Sequence, residues 1–185
     1  MEKRKLGPQT VLHPMPAVLV GAKVNGKANF MTVAWCGIAG HKPPSVSVAL
    51  RKGRYTLKGI QEHGTFSVNV PSVDLVKQVD YCGIYSGKER DKSQLFDLFY
   101  GALETAPLIR ECPLILECKV FQTVDLGSHD LVIGEIMETY VDEDSITDGQ
   151  PDPVKMDPVV YAPRTRYYHR LGEAVAKAFS IGKED

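Results

Sequence analysis

The chain has almost no excess charge of either sign: 22 Lys and Arg face 23 Asp and Glu, a formal net charge of −1. A balanced chain lacks the basic footprint of a nucleic-acid binder, so no nucleic-acid partner is expected. Any phosphate recognition has to come from a local cluster of positive groups. The sequence also lacks an apolar run near the roughly 20 residues a membrane-spanning helix needs, so no membrane partner is expected. Its start, Met1 to Lys5, is basic and Ala17 to Ala22 is apolar, but Pro8, Pro14 and Pro16 interrupt the stretch. The apolar part is too short for the core of a signal peptide, and the expectation is a cytoplasmic protein.

Cysteine is scarce as well. Cys36, Cys82, Cys112 and Cys118 form no C-x-x-C pair, and no histidine stands at metal-finger spacing from them. Neither a metal site nor an iron–sulfur centre is expected; the thiols read as buried and reduced. No G-x-G-x-x-G follows a strand, so a Rossmann domain is not indicated. With no internal repeat and no linker that splits the chain, residues 1–185 read as one domain, with 1–16 as an extended Pro-rich arm.

What is present is mostly strand pattern. Ala17 to Val24 and Ala28 to Trp35 flank Asn25-Gly26, the strongest short hairpin signal, because both central residues of a type I′ turn need positive φ. Ser45 to Arg51 alternates, with Val46, Val48 and Leu50 on one face. Thr65 to Val70 alternates likewise. Leu114 to Val124 and Leu131 to Val141 make two further strands joined around Gly127. Arg54 to His63 reads as a short helix stopped by Gly64. Ser72 is placed to cap a second helix carrying Val73, Val76 and Val79. Gly83 to Ser93 is a polar loop, and 142–158 an acidic surface excursion. Leu171, Val175, Ala178 and Phe179 are spaced as the apolar stripe of a C-terminal helix ended by Gly182. Many short strands with no βαβ rhythm predict a mainly β fold, an antiparallel barrel with helical insertions.

Four stretches carry candidate chemistry. The first, Asn29 to Gly37, mixes an amide, a hydroxyl, a small Ala34 and the chain's single Trp35. Such a mixture suits a flat heteroaromatic ring, which needs apolar walls and backbone donors at its polar edge; it equally suits an ordinary barrel strand. The second, Ser47 to Arg51, has one small polar face and leads to Arg54, Tyr55 and Thr56 at a helix start. There, unpaired N–H groups and the helix dipole can hold a phosphate, or the arginines simply flank a cap. The third, Ser86-Gly87-Lys88-Glu89-Arg90-Asp91-Lys92, is a cationic glycine loop without Walker A spacing, a phosphate grip or a solvated turn. The fourth, His129 in Ser128-His129-Asp130, cannot be a triad because adjacent residues cannot face one another. It is a candidate contact for a nicotinamide or substrate, or a structural histidine.

Six segments in order, "NFMTVAWCG" at 29–37, "PPSVSVALRKGRYT" at 43–56, "GTFSVNVPS" at 64–72, "DYCGIYSGKERDK" at 80–92, "SHDLVIGEI" at 128–136 and "YYHRLGEAVAKAF" at 167–179, resemble the flavin-reductase-like FMN-binding split barrels, and among them the flavoredoxins. The resemblance covers about Val18 to Phe179 and implies a Greek-key split barrel forming a homodimer, with non-covalent FMN near the dimer interface. It implies that Asn29 and Met31, Thr32, Val33, Ala34 and Trp35 border the isoalloxazine. Ser47, Val48, Ala49, Leu50 and Arg51 then line the ribityl and phosphate side, and Arg51, Tyr55 and Thr56 hold the phosphate. Ser86, Gly87, Lys88, Asp91 and Lys92 close over the cofactor, with Lys92 as the cation near the pyrimidine end. An aromatic is expected before the Leu-Gly pair at 171–172, where His169 and Arg170 stand instead; Tyr161, Tyr167 and Tyr168 are candidates for a lid. The implied function is an FMN-dependent oxidoreductase taking electrons from NAD(P)H or a protein donor to a small-molecule or protein acceptor. The competing readings are a flavoredoxin-like carrier that oxidises no nucleotide and a non-catalytic flavin-binding module. Hydride transfer to a flavin needs stacked rings rather than a dedicated acid or base, which agrees with the missing triad.

Overall fold

A two-residue strand, β1 (Met15–Pro16), leads from the arm into β2 (Val18–Val24). Asn25 and Gly26 then take φ of 49° and 79°, the pair of positive values the type I′ turn requires, and return the chain as β3 (Lys27–Val33). After β4 (Cys36–His41) and β5 (Pro44–Arg51) comes helix α1 (Tyr55–His63). Gly64 ends it in the left-handed conformation, its N–H donating to Ile60 O, as the Gly64 signal predicts. Strand β6 (Thr65–Val70) follows, then a single 3₁₀ turn and helix α2 (Val76–Ile84). Ser72 stands before that turn in extended conformation, but its hydroxyl makes no capping bond. Two short strands, β7 (Leu98–Phe99) and β8 (Leu108–Ile109), precede the long hairpin β9 (Leu114–Asp125) and β10 (His129–Val141). The acidic excursion holds β11 (Ile146–Thr147), β12 (Gln150–Pro151) and the single-turn α3 (Pro153–Met156). It is followed by β13 (Val160–Ala162) and β14 (Tyr167–His169). The computed structural model describes residues 1–183.

Seven strands form one antiparallel sheet in the order β3-β2-β6-β9-β10-β5-β4. Its two edge strands, β3 and β4, are sequence neighbours separated by Ala34 and Trp35 alone. Three residues reach at most about 11 Å, so the sheet has to curl until its edges meet. The edges are not paired to each other, which makes the barrel a split one with its seam at Ala34–Trp35. Period-2 alternation sends Val46, Val48 and Leu50 of β5 into the barrel with Val18, Val20, Val33, Phe66 and Val132. A second core, on the other side of β2 and β3, packs Leu19 and Phe30 against Val79, Cys82, Phe96 and Leu108. The small sheet β1-β13-β14 lies at its margin, with Tyr161 and Tyr168 packed on it.

The expected C-terminal helix does not form. Residues 171–177 have no regular structure and 178–182 are turns, with Val175 99% and Phe179 97% exposed. Helical spacing of apolar residues cannot sustain so short a helix unless a surface covers the stripe, and none of the described residues does. Among the described residues, no helix is long and apolar enough to cross a membrane.

Candidate functional site

The seam brings the first two candidate stretches together. Ala49 N–H donates to Trp35 O at 2.9 Å, so β3's exit lies against the outer row of β5. That row is Ser47, Ala49 and Arg51, set opposite Ile133, Leu131 and His129 of β10. The Trp35 ring lies over His129, with centroids 4.8 Å apart and a tilt of 32°. Ala34, Trp35, Cys36, Gly37 and Ser47 line a cleft of about 650 Å³ whose far wall is the arm, Gln9 to Pro16. This size falls within the usual range of small-molecule sites. Burial pushes the Cys36 thiol up to about 12, so it stands there as a neutral apolar group rather than a nucleophile.

From Ser47 the outer row runs roughly 13 Å to Arg51, at 3.3 Å per residue. Arg54 N–H closes back on Arg51 O, and α1 begins with Arg54 as its N-cap and no side-chain cap. The first N–H groups of this helix are therefore open to an anion. Arg54 and Tyr55 share a second cleft with Lys88 of the third stretch. Lys52 in that cleft is neutralised by Asp125 at 2.6 Å, whereas no acid pairs with Arg51, Arg54 or Lys88 among the described residues. The cationic loop is held there by close contact: a Cβ on Gly87 would come within 1.9 Å of Asn29 Oδ1 and 2.7 Å of the Tyr55 ring.

The side chains of several expected site residues are engaged elsewhere in the fold. Val33, Val48 and Leu50 are core residues, 5%, 0% and 0% exposed, and Met31 packs on the same core. Strand alternation turns them away from the seam, leaving only their backbones available at it. Thr32 donates its hydroxyl to Val79 O, tying β3 to α2. Thr56 is buried, and its Oγ1 accepts from Asn29 Nδ2 at 2.7 Å, so this hydroxyl and this amide are bonded to each other. Lys92 is 2% exposed; its ammonium donates to Phe30 O at 2.9 Å and Cys82 O at 3.0 Å. It satisfies an edge-strand carbonyl and one near the end of α2, a fastening role, and burial lowers its pKa. Asp91 is bound locally, its carboxylate accepting from Ser93 N–H and hydroxyl and pairing with Lys27 at 3.1 Å. Ser86 accepts from Lys88 N–H and shapes the loop from within.

Ala34, Trp35, Ser47, Ala49, Arg51, Tyr55, Gly87 and Lys88 thus remain as surface groups on a connected path. His129 joins them through the β5–β10 register. Two features escape the one-dimensional pattern: the arm as a wall of the ring-sized cleft, and a neighbouring cleft where Asp80 and Arg166 meet Ala34. The first joins segments roughly 20 to 40 residues apart and the second segments more than 40 apart, and for neither does the sequence carry a local signal.

The Flavin reductase like domain model matches residues 11–170. The crystal structure of flavoredoxin from Methanosarcina acetivorans superposes with a TM-score of 0.96 at 42% identity, covering 99% of this chain and 98% of that one. Flavoredoxin of Desulfovibrio vulgaris (Miyazaki F) gives 0.92, also at 42% identity, over 98% of this chain and all of that one. Among curated relatives, the FMN reductase (NADH) RutF of Pseudomonas syringae is 28% identical over 61% of this chain and 62% of its own length. The barrel with its seam, and the family match over nearly all of the chain, lead to one conclusion: this protein belongs to the flavin reductase like domain family and, within it, to the flavoredoxin subgroup.

Proposed function

We propose that the chain binds FMN non-covalently along the seam and passes electrons through it from NAD(P)H or a protein donor to an acceptor. The observation that carries this reading is the single row Ser47–Ala49–Arg51, which joins a ring-sized cleft to the open N-terminus of α1. Ala34, Trp35 and Ser47 hold the ring, with backbone groups at the unpaired seam meeting its polar edge. Ala49 is small enough to let the sugar chain lie flat on the strand. Arg51, Arg54, Lys88 and the N–H groups of Tyr55 and Thr56 hold the phosphate by charge-assisted bonds. Bound flavin supplies two-electron acceptance as hydride and release in one- or two-electron steps. The protein's own part is to bind, orient and keep water from the ring's apolar side.

The residues form one domain that acts as a homodimer: Ile38, Phe121 and Met137 are 74%, 62% and 48% exposed on the sheet's surface, apolar area suited to a second copy. A carrier without nucleotide oxidation is the second reading, favoured by the 42% identity to two flavoredoxins. One experiment separates them. The protein is reconstituted with FMN and its absorbance followed without air before and after NADH and NADPH. Bleaching by either nucleotide supports the reductase. A flavin spectrum that stays oxidised supports the carrier, and failure to take up FMN refutes both.

A further inference from the structure

Ala34 is shared between two clefts. Beside the one that holds Trp35 and Ser47 is a smaller cleft of about 300 Å³, walled by Thr32, Asp80, Gly83, Tyr161, Arg166 and Tyr168. Its aromatic wall is a cross-strand pair, Tyr161 and Tyr168, with ring centroids 5.6 Å apart. Tyr168 is fixed by its hydroxyl, which donates to Asp80 Oδ1 at 3.0 Å and so ties the hairpin to α2. Arg166 emerges from a fixed point as well: its φ is 60°, and its N–H donates to Ala162 O at 3.0 Å. Of the arginines on this hairpin and the residue after it, Arg170 is neutralised by Asp157 at 2.7 Å. Arg164 and Arg166 have no acidic partner among the described residues. Asp80, the one carboxylate lining the cleft among the described residues, has an oxygen occupied by Tyr168 on the α2 wall. The cleft therefore offers a flat apolar side, an acceptor at α2 and an unneutralised guanidinium on the hairpin.

We propose that this cleft receives the second redox reactant, a planar molecule bearing an acidic group, and that Arg166 is the specificity residue that holds that group. The proposal rests on the reading of the seam as the flavin site, because Ala34 is what the two clefts share. An unpaired guanidinium binds a phosphate, carboxylate or sulfonate through charge-assisted hydrogen bonds that are much stronger than its contacts with a neutral ring. Tyr161 and Tyr168 accept the ring of either.

The test uses the full chain loaded with FMN, reduced by dithionite and mixed without air with 1,4-naphthoquinone or its 2-sulfonate. The quinone takes two electrons and two protons from the reduced protein and becomes the hydroquinone. Arg166→Ala is expected to slow the sulfonate reaction by about five- to tenfold, the scale of one partly exposed charge-assisted bond, and to leave the neutral quinone unaffected. Arg166→Lys should recover part of the loss. Lys119→Ala, which removes the same charge from β9, should not discriminate between the two quinones. Inorganic phosphate or citrate should compete with the sulfonate in the parent protein but not in Arg166→Ala, and the stronger competitor names the anchored group. Equal slowing of both quinones, no slowing, or no competition by either anion overturns the proposal while the flavin site stands. A chain that takes up no FMN overturns both.

Discussion

The rings of Trp35 and His129 lie 4.8 Å apart, tilted by 32°, and His129 is the cross-strand partner of Arg51. One aromatic contact therefore connects the seam to the cationic end of β5. Trp35 is the chain's single tryptophan, 39% exposed at the cleft wall, so its emission reports the site alone. Adding FMN to the flavin-free protein is expected to quench the larger part of that emission. Trp35→Phe should abolish the signal while leaving the fold intact by circular dichroism. Unquenched Trp35 at saturating FMN would place the ring elsewhere.

The two faces of β5 have opposite duties, and mutation should separate them. Arg51→Ala is expected to weaken FMN binding by about 1.5–3 kcal/mol, the value of a hydrogen bond to a charged group, with little change in stability. Val48→Ala, at a position with no exposure, should lower unfolding free energy by about 1–3 kcal/mol and leave flavin affinity of the folded protein unchanged. Flavin titration and urea unfolding on the same two variants check this.

Gly87 is required by space. Its α-carbon leaves no room for a methyl group beside Asn29 Oδ1 and the Tyr55 ring. Gly87→Ala has to push the loop off α1, at a cost of about 1–3 kcal/mol for overpacking. Lys88 moves with it, so FMN affinity should fall along with the melting temperature. Lys88→Ala in the parent loop should reduce affinity alone.

Asp91 gives the acid limb of stability a defined component. The Ser93 hydroxyl and N–H, then Lys27, hold its carboxyl at about 2, below the roughly 3.9 of an unfolded aspartate. A lowered carboxylate pKa stabilises the fold fully above the unfolded value, and this contribution is lost as pH falls toward about 2. Its side chain is 41% exposed, so solvent screening limits the effect to about 1 kcal/mol or less. The stability gap between the parent and Asp91→Asn should be constant above about pH 5 and close between about pH 4 and pH 2. Urea midpoints across that range measure it.

The sequence by itself determined the local elements. Asn25-Gly26 specified a type I′ turn, Gly64 a left-handed helix stop, and the alternation over Ser45–Arg51 a strand with one apolar face. Each is set by the φ values a residue tolerates or by the period of its pattern, both readable within a few positions. The family resemblance rested on the same short motifs. The tertiary structure decided which side chains reach the seam. The resemblance set Met31, Val33, Val48, Leu50, Thr56 and Lys92 beside the flavin with their neighbours, and alternation and packing turn their side chains inward. It also decided the fate of Leu171–Phe179, whose helical spacing found no covering surface, and it set Asp80 and Arg166 around Ala34. These outcomes depend on contacts between distant segments, whose energies are settled only when the sheet curls and its edges meet.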